Sequence, residues 1–180
     1  MHGTDGLYSG DVVIHDDPHT VHVTLMLASR FGPFKNQFAA VASTQRPEYI
    51  AFLVCANPRV PILPRTVYVN KNAYESEEHG GLHWGPGHLG VAHGMLEGVR
   101  SGVLNRDQAE DLLCIAVVWI WATATDVNRV YTRTSEATLE ALVQAMNQTP
   151  NLDAIETHIR ERGLSNPYYT VPPAPTPPNS

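Results

Sequence analysis

The first residue in this 180-residue chain that could do chemistry is a histidine set into an alternating apolar segment. In Thr20 to Ala28, Val21, Val23, Leu25 and Leu27 alternate with Thr20, His22, Thr24 and Met26. A strand has a side-chain period of two, so the first set faces a core and the second shares another face, where His22 stands between hydroxyls. An imidazole changes charge near neutral pH and can donate a proton to a leaving group and recover it. A lone strand histidine is more often structural than catalytic, so other residues must supply the case. Lys71 ends a second alternating run, Thr66-Val-Tyr-Val-Asn-Lys, where a charge can serve a site or simply solubility. Leu82 to Gly90 is rich in glycine and reads as a turn entering a helix, a place where free N–H groups can meet an anion or a carbonyl oxygen.

The nine histidines raise the question of a metal, above all His79, His83, His88 and His93. Their spacing argues against one. On a helix over 85–101, His88 and His93 are five positions apart and diverge by about 140° around the axis, whereas two ligands on one helix want a spacing of three or four positions. Neither Cys55 nor Cys114 belongs to a Cys-x-x-Cys pair, and phosphate loops, dinucleotide fingerprints and nucleophile elbows are missing from the sequence. No metal site is expected.

The elements that must position these residues follow from patterning. Asp11-Val-Val-Ile and the His22 strand, separated by His15-Asp-Asp-Pro-His, read as a hairpin. Phe34 to Ser43 suits an amphipathic helix packed on a sheet, with Pro33 in its first turn. Tyr49 to Ala56 is so continuously apolar that it reads as a central strand buried on both faces. Pro58, Pro61 and Pro64 make an extended connection to the Lys71 strand. Asn72 to Gly81 reads as a mobile loop, and the next helix carries Leu89, Ala92, Leu96 and Val99 at helical spacing. Asn105 with Gln108 has the form of a capping box opening a short helix. Leu112 to Trp121 reads as a buried strand. Asp126 caps a long helix, Val127 to Met146, whose stripe includes Val127, Val130, Tyr131, Thr134, Thr138, Ala141, Leu142 and Ala145. Asn151 to Arg162 forms one more short helix. The expected organisation is one domain over 1–150, an extension over 151–170 and a disordered Pro-rich tail over 171–180.

Composition narrows the partners. The chain is 43% hydrophobic, enough for one substantial core, and its net charge of -6 with only 12 Lys and Arg disfavours nucleic acid and anionic membranes. Its longest apolar run is about half of what a membrane-spanning helix needs. Two cysteines in apolar runs read as free thiols, which points to a cytoplasmic protein with a small-molecule substrate.

Several segments together resemble the formaldehyde-activating enzyme family: Val21-His22-Val23 after a turn, the Leu53 strand, Val69-Asn70-Lys71, Gly85-Pro86-x-x-x-Gly90-Val91-Ala92, Glu110-Asp111-Leu112, and Glu136-Ala137-Thr138. The likeness runs from about Gly10 to Met146. It implies an α/β (α+β) fold, a two-layer sandwich resembling the second domain of ribosomal protein S5, with a mixed sheet and helices on one face. It also implies a homo-oligomer, usually a pentamer, acting as a lyase that condenses formaldehyde with tetrahydromethanopterin to the methylene derivative and water. The pterin is then a co-substrate, and no tightly bound cofactor is implied. By position, the family's catalytic acid histidine falls on His22, and its ligand-contacting leucine and lysine fall on Leu53 and Lys71.

Three further ligand positions depart from the family pattern: an aspartate becomes Thr24, a threonine becomes Ala73 and a glutamine becomes His88. The late His-Trp pair appears as Trp121-Ala122. Thr24 cannot supply the negative charge that an aspartate would hold beside the histidine. These departures keep two other readings open. One is the same scaffold repurposed as a lyase or cyclase on another biosynthetic metabolite, with His88 replacing a lost acid or base. The other is a non-catalytic pterin- or aldehyde-binding protein.

Overall fold

The computed structural model describes residues 6–44, 46–47, 49–165 and 169. They fall into two compact units, Met1–Thr149 and Pro150–Ser180. The first unit holds strands β1 (Tyr8–Ile14), β2 (Val21–Ser29), β3 (Ala51–Leu53), β4 (Cys55–Asn57), β5 (Val60–Pro61), β6 (Arg65–Asn70) and β7 (Leu112–Ile120). Its helices are α1 (Phe34–Ser43), α2 (Glu77–Leu82), α3 (His88–Arg100), α4 (Arg106–Asp111) and α5 (Val127–Asn147), with a π-helical turn at His83–Gly87 between α2 and α3. The second unit contains α6 (Leu152–Arg162), capped by Asn151, whose side chain accepts the Ala154 N–H at 2.9 Å. Among the described residues no helix is long and apolar enough to cross a membrane.

A five-stranded sheet runs β1-β2-β7-β6-β3, antiparallel except for the β6–β7 pair. The β1–β2 hairpin is present as expected, with Asp11 opposite Thr24 and Val13 opposite His22. Its turn is tied to α5, where Arg129 and Arg133 donate to the Asp16 carboxylate, Arg133 Nε at 2.8 Å. One sheet face carries Val21, Val23, Leu25, Leu27, Cys114, Ala116, Val118 and Ile120, all buried in the main core. Helix α5 lies across β1 and β2 on this face, and α3 packs beside it. The mixed α+β architecture is the one expected. Covering from one face holds for the two long helices, whereas the short α1 lies against Ala28, Ala51 and Val69 on the other.

Several local expectations are corrected. The Tyr49 to Ala56 run is the sheet's edge, not its centre: β3 pairs only with β6, and Leu53 is 45% exposed. Its apolar character serves two different surfaces, Phe52 stacking on Tyr68 with ring centroids 5.0 Å apart while Leu53 points to the opposite side. The central position belongs to β7. The supposed mobile loop over 72–81 contains α2, nucleated by Ser76, whose side chain accepts the His79 N–H at 3.1 Å.

The glycine-rich 82–90 segment is no turn with free N–H groups, because α2, the π turn and α3 follow without a break. Its glycines serve close packing instead. A methyl on Gly87 would meet Tyr68 Oη at 2.9 Å, and one on Gly94 would meet the Ser135 carbonyl oxygen at 2.5 Å. Leu89 and Val127, placed in apolar stripes by spacing, are exposed, and no residue of α1 is fully buried. The Pro-rich tail expected over 171–180 lies outside the described residues.

Candidate active site

Period-two alternation puts His22 and Thr24 on the sheet face that α3 and α5 leave alone, and the register aligns their neighbours. Trp119 on β7 is directly opposite His22, Val117 opposite Thr24, and Asp11 opposite Thr24 from the other side. Strand β6 runs parallel to β7, and the Lys71 N–H donates to the Val118 carbonyl at 2.7 Å, extending that pairing by one residue. Lys71 therefore emerges beside the same row. Its Nζ lies 3.1 Å from His22 Nδ1, 3.2 Å from Nε2 and 3.4 Å from Thr24 Oγ1.

Asp11 completes the cluster and was not among the residues singled out from sequence. Its Oδ1 lies 2.7 Å from His22 Nε2 and also accepts the Thr24 hydroxyl. Partial burial pushes the Asp11 carboxyl up, but the Thr24 and His22 hydrogen bonds and the His22 and Lys71 charges outweigh it and hold it below its ordinary range. The loss of negative charge expected at Thr24 is thereby corrected: the charge arrives from β1. A signal for it existed. A turn centred on Asp17-Pro18 pairs positions whose numbers add to 35, which matches Asp11 with Thr24.

The remaining positions are placed differently. Ala73 is half-buried two residues beyond Lys71. Leu53 shares the sheet face with His22 but sits on β3, three strands across and in register with Met26, four residues along β2, which puts it about 20 Å away at the usual strand spacing and rise. His88 belongs to the opposite face, its ring edge 4.8 Å from Phe52 and its Nε2 accepting the Cys55 N–H at 2.9 Å. Desolvation lowers its pKa, which favours that neutral acceptor form. Within one chain His88 cannot replace an acid or base beside His22, contrary to the expectation from sequence.

Three further histidines, His79, His83 and His93, have partners elsewhere in the fold. His79 Nδ1 accepts the Glu75 N–H and its Nε2 reaches the Ile120 carbonyl at 2.9 Å, pinning α2 to β7. His83 Nδ1 meets the Tyr68 hydroxyl at 2.6 Å, and burial pushes its pKa down to about 4. His93 pairs with the Tyr131 hydroxyl at 2.7 Å. Among the described residues no group of three or more His, Cys, Asp or Glu is placed to hold a metal ion.

The arrangement can move a proton at a wet but partly enclosed site. Asp11 holds Nε2, and Lys71 Nζ stands nearly equidistant from the two ring nitrogens, so Nδ1 is the ring atom left to give and take a proton. Trp119 offers an apolar wall next to the imidazole, with Trp121 packed against it at 5.6 Å between ring centroids.

Comparison with known proteins bears on the chain as a whole. A family model described as "Formaldehyde-activating enzyme (Fae)" matches residues 9–163. The chain is similar to the 5,6,7,8-tetrahydromethanopterin hydro-lyase of Methanosarcina barkeri, 29% identical over 159 residues and covering 88% of each chain. It is also 29% identical over 153 residues to the bifunctional enzyme Fae/Hps of Methanococcoides burtonii, an alignment covering 85% of this chain and 38% of that one. The corresponding bifunctional enzyme of Methanocella arvoryzae is 26% identical over 155 residues, 86% of this chain and 39% of that one. The chain thus spans under two fifths of the bifunctional relatives and most of the hydro-lyase. With a matching model over most of its length, it belongs to the formaldehyde-activating enzyme family.

Proposed function

We propose that this chain is a carbon–oxygen lyase that condenses formaldehyde with the reduced pterin tetrahydromethanopterin, releasing water. The observation that carries the reading is the Asp11–His22–Lys71 cluster at the position where the family resemblance puts its acid. A pterin amine attacks the formaldehyde carbon and a proton moves to the oxygen, giving a hydroxymethyl amine. Hydroxide is a poor leaving group, so His22 protonates that oxygen and water departs. The second pterin nitrogen then attacks the carbon, closes the methylene bridge and loses its proton, which restores the acid. Lys71 orients the substrate through its ammonium, and the indole of Trp119 supports the flat ring system.

Support for a site completed by more than one copy comes from the separation of its parts. His22, Thr24 and Lys71 lie together, whereas Leu53 and His88 flank the β3 edge. A head-to-tail ring of copies places one edge of a chain against the other edge of the next, the closure that a homopentamer has. Two free cysteines, with Cys114 buried and its thiol pushed up to about 12, suit a reducing cytoplasmic setting.

The deciding measurement is methylene-tetrahydromethanopterin formation above the uncatalysed background, comparing the wild type with His22→Ala. The expected result is an enzyme-dependent rate that falls by about 10²- to 10⁴-fold in the variant. A wild type no faster than background overturns the reading. The departures at Thr24, Ala73 and His88 favour a second one in that event, the same proton transfer applied to another aldehyde and amine.

A further inference from the structure

We propose that Asp11 is the positioning residue of the His22 acid: its carboxylate on β1 fixes the imidazole through Nε2 and balances the Lys71 ammonium, in place of a carboxylate on β2. The inference rests on the proposed proton-donor role of His22 and deepens it.

The geometry leaves little else for Asp11 to do. Its side chain is 58% exposed and that of His22 21% exposed, and an ion pair this open contributes little to stability. Yet one oxygen, Oδ1, meets both His22 Nε2 and the Thr24 hydroxyl. The backbone holding it is fixed from the far side, where the Asp11 N–H donates to Gln144 Oε1 of α5 at 3.2 Å. Preceding Asp11, Gly10 is pressed so closely onto the Ala141 carbonyl that no side chain fits there. Strand β1 is thus clamped to α5 at the residue that delivers the carboxylate.

Electrostatics give the clamp a purpose. The charged groups facing the His22 ring are Lys71 from the end of β6 and Asp11 from β1, while β7 contributes the uncharged Trp119. An ammonium 3.1 Å from Nδ1 opposes formation of the imidazolium, and a carboxylate at Nε2 favours it. Without Asp11, the acid would share its site with a cation alone. Thr24 bridges the two, its Oγ1 touching both Asp11 and Lys71, so a carboxylate at position 24 would lie within reach of the same imidazole. The family resemblance puts an aspartate there, and in this chain the charge has crossed to the neighbouring strand.

The test measures the titration of the His22 imidazole by NMR in the wild type, Asp11→Asn and Asp11→Asn/Thr24→Asp, with the lyase rate followed in parallel. Asparagine keeps the shape and removes the charge, and the thermal midpoint should barely move. In Asp11→Asn the imidazole titration is expected to shift to lower pH and kcat to fall about tenfold or more with KM little changed. Thr24→Asp in that background is expected to move both back.

An unchanged His22 titration in Asp11→Asn overturns the proposal, and so does a lost rate with an unchanged titration, because Asp11 would then act on substrate directly. Failure of Thr24→Asp to restore either quantity removes the relocation. If the wild type shows no lyase rate, the proposed reaction fails while the titration still decides the role of Asp11.

Discussion

His22 and His83 are the same residue type in two environments, and the contrast defines what each can do. His22 is partly exposed, hydrogen-bonded to a carboxylate and adjacent to an ammonium, so both its protonation states have partners. His83 is buried at 2% exposure, receives the Tyr68 hydroxyl at Nδ1, and has the His79 ring as its neighbour, 5.1 Å away between ring centroids. Burial first, and His79 second, push its pKa from 6.5 to about 4. The folded chain therefore keeps His83 neutral where the unfolded chain protonates it. Stability from this group is fully present above pH 6.5 and is lost as pH falls from 6.5 to about 4, an effect on the order of 3 kcal/mol. His88, also lowered by desolvation, acts in the same direction. His83→Asn keeps an acceptor for Tyr68 and removes the titration. In denaturant unfolding across pH 7 to 4 it should flatten the wild-type decline, and an equal slope in both proteins would refute the assignment.

Elements carry the site by packing so closely that glycine becomes obligatory. Gly90, Gly94 and Gly98 recur every fourth residue on the α3 face against α5, and a methyl on Gly90 would lie 2.7 Å from Thr134 Cβ. Replacing a helix-interior glycine by alanine ordinarily stabilises by about 1 kcal/mol. Gly94→Ala should reverse that sign and cost about 1–3 kcal/mol, because the clash is with the Ser135 backbone. Gly81→Ala in α2 meets nothing within 4 Å and should follow the ordinary rule. Thermal midpoints of the two variants should move in opposite directions, and a stabilised Gly94→Ala would mean that α3 and α5 are less tightly joined. Sequence alone could not separate these cases. A glycine needed for close helix packing and a glycine needed for a turn look identical in one sequence, which is why 82–90 reads as a turn. The His22 strand, the hairpin and the Asn105 and Asp126 caps were legible because their signals are local. Sheet order was not, since it depends on pairing between distant residues, whereas the Asp11–His22 contact was implicit in the register of the hairpin. Leu53 misleads for a related reason: apolar residues on a sheet edge give the same run as apolar residues at its centre.

At the scale of the whole molecule, the six positions implied by family resemblance form two groups that one chain holds apart. Lys71, Thr24 and His22 meet on one sheet face, while His88 is fixed to the Cys55 backbone behind Phe52 on the other. A groove of about 660 Å³ exists between β5, α3 and α4, but its lining, which includes Ile62, Leu96 and Leu104, contains none of the six. In the proposed ring, a substrate that touches both groups bridges two copies. This has a counting consequence that separates it from a site within each chain. On the proposed ring, co-expressing His22→Ala with His88→Ala in equal amounts puts a chain intact at His22 beside a chain intact at His88 with a chance of about one quarter. Each variant alone should be nearly inactive, and the mixed assembly should recover up to about a quarter of the wild-type rate. Light scattering on the same samples checks that rings form. Zero recovery in mixed rings would place every active group within one chain, and full activity of His88→Ala alone would remove the β3 edge from the site.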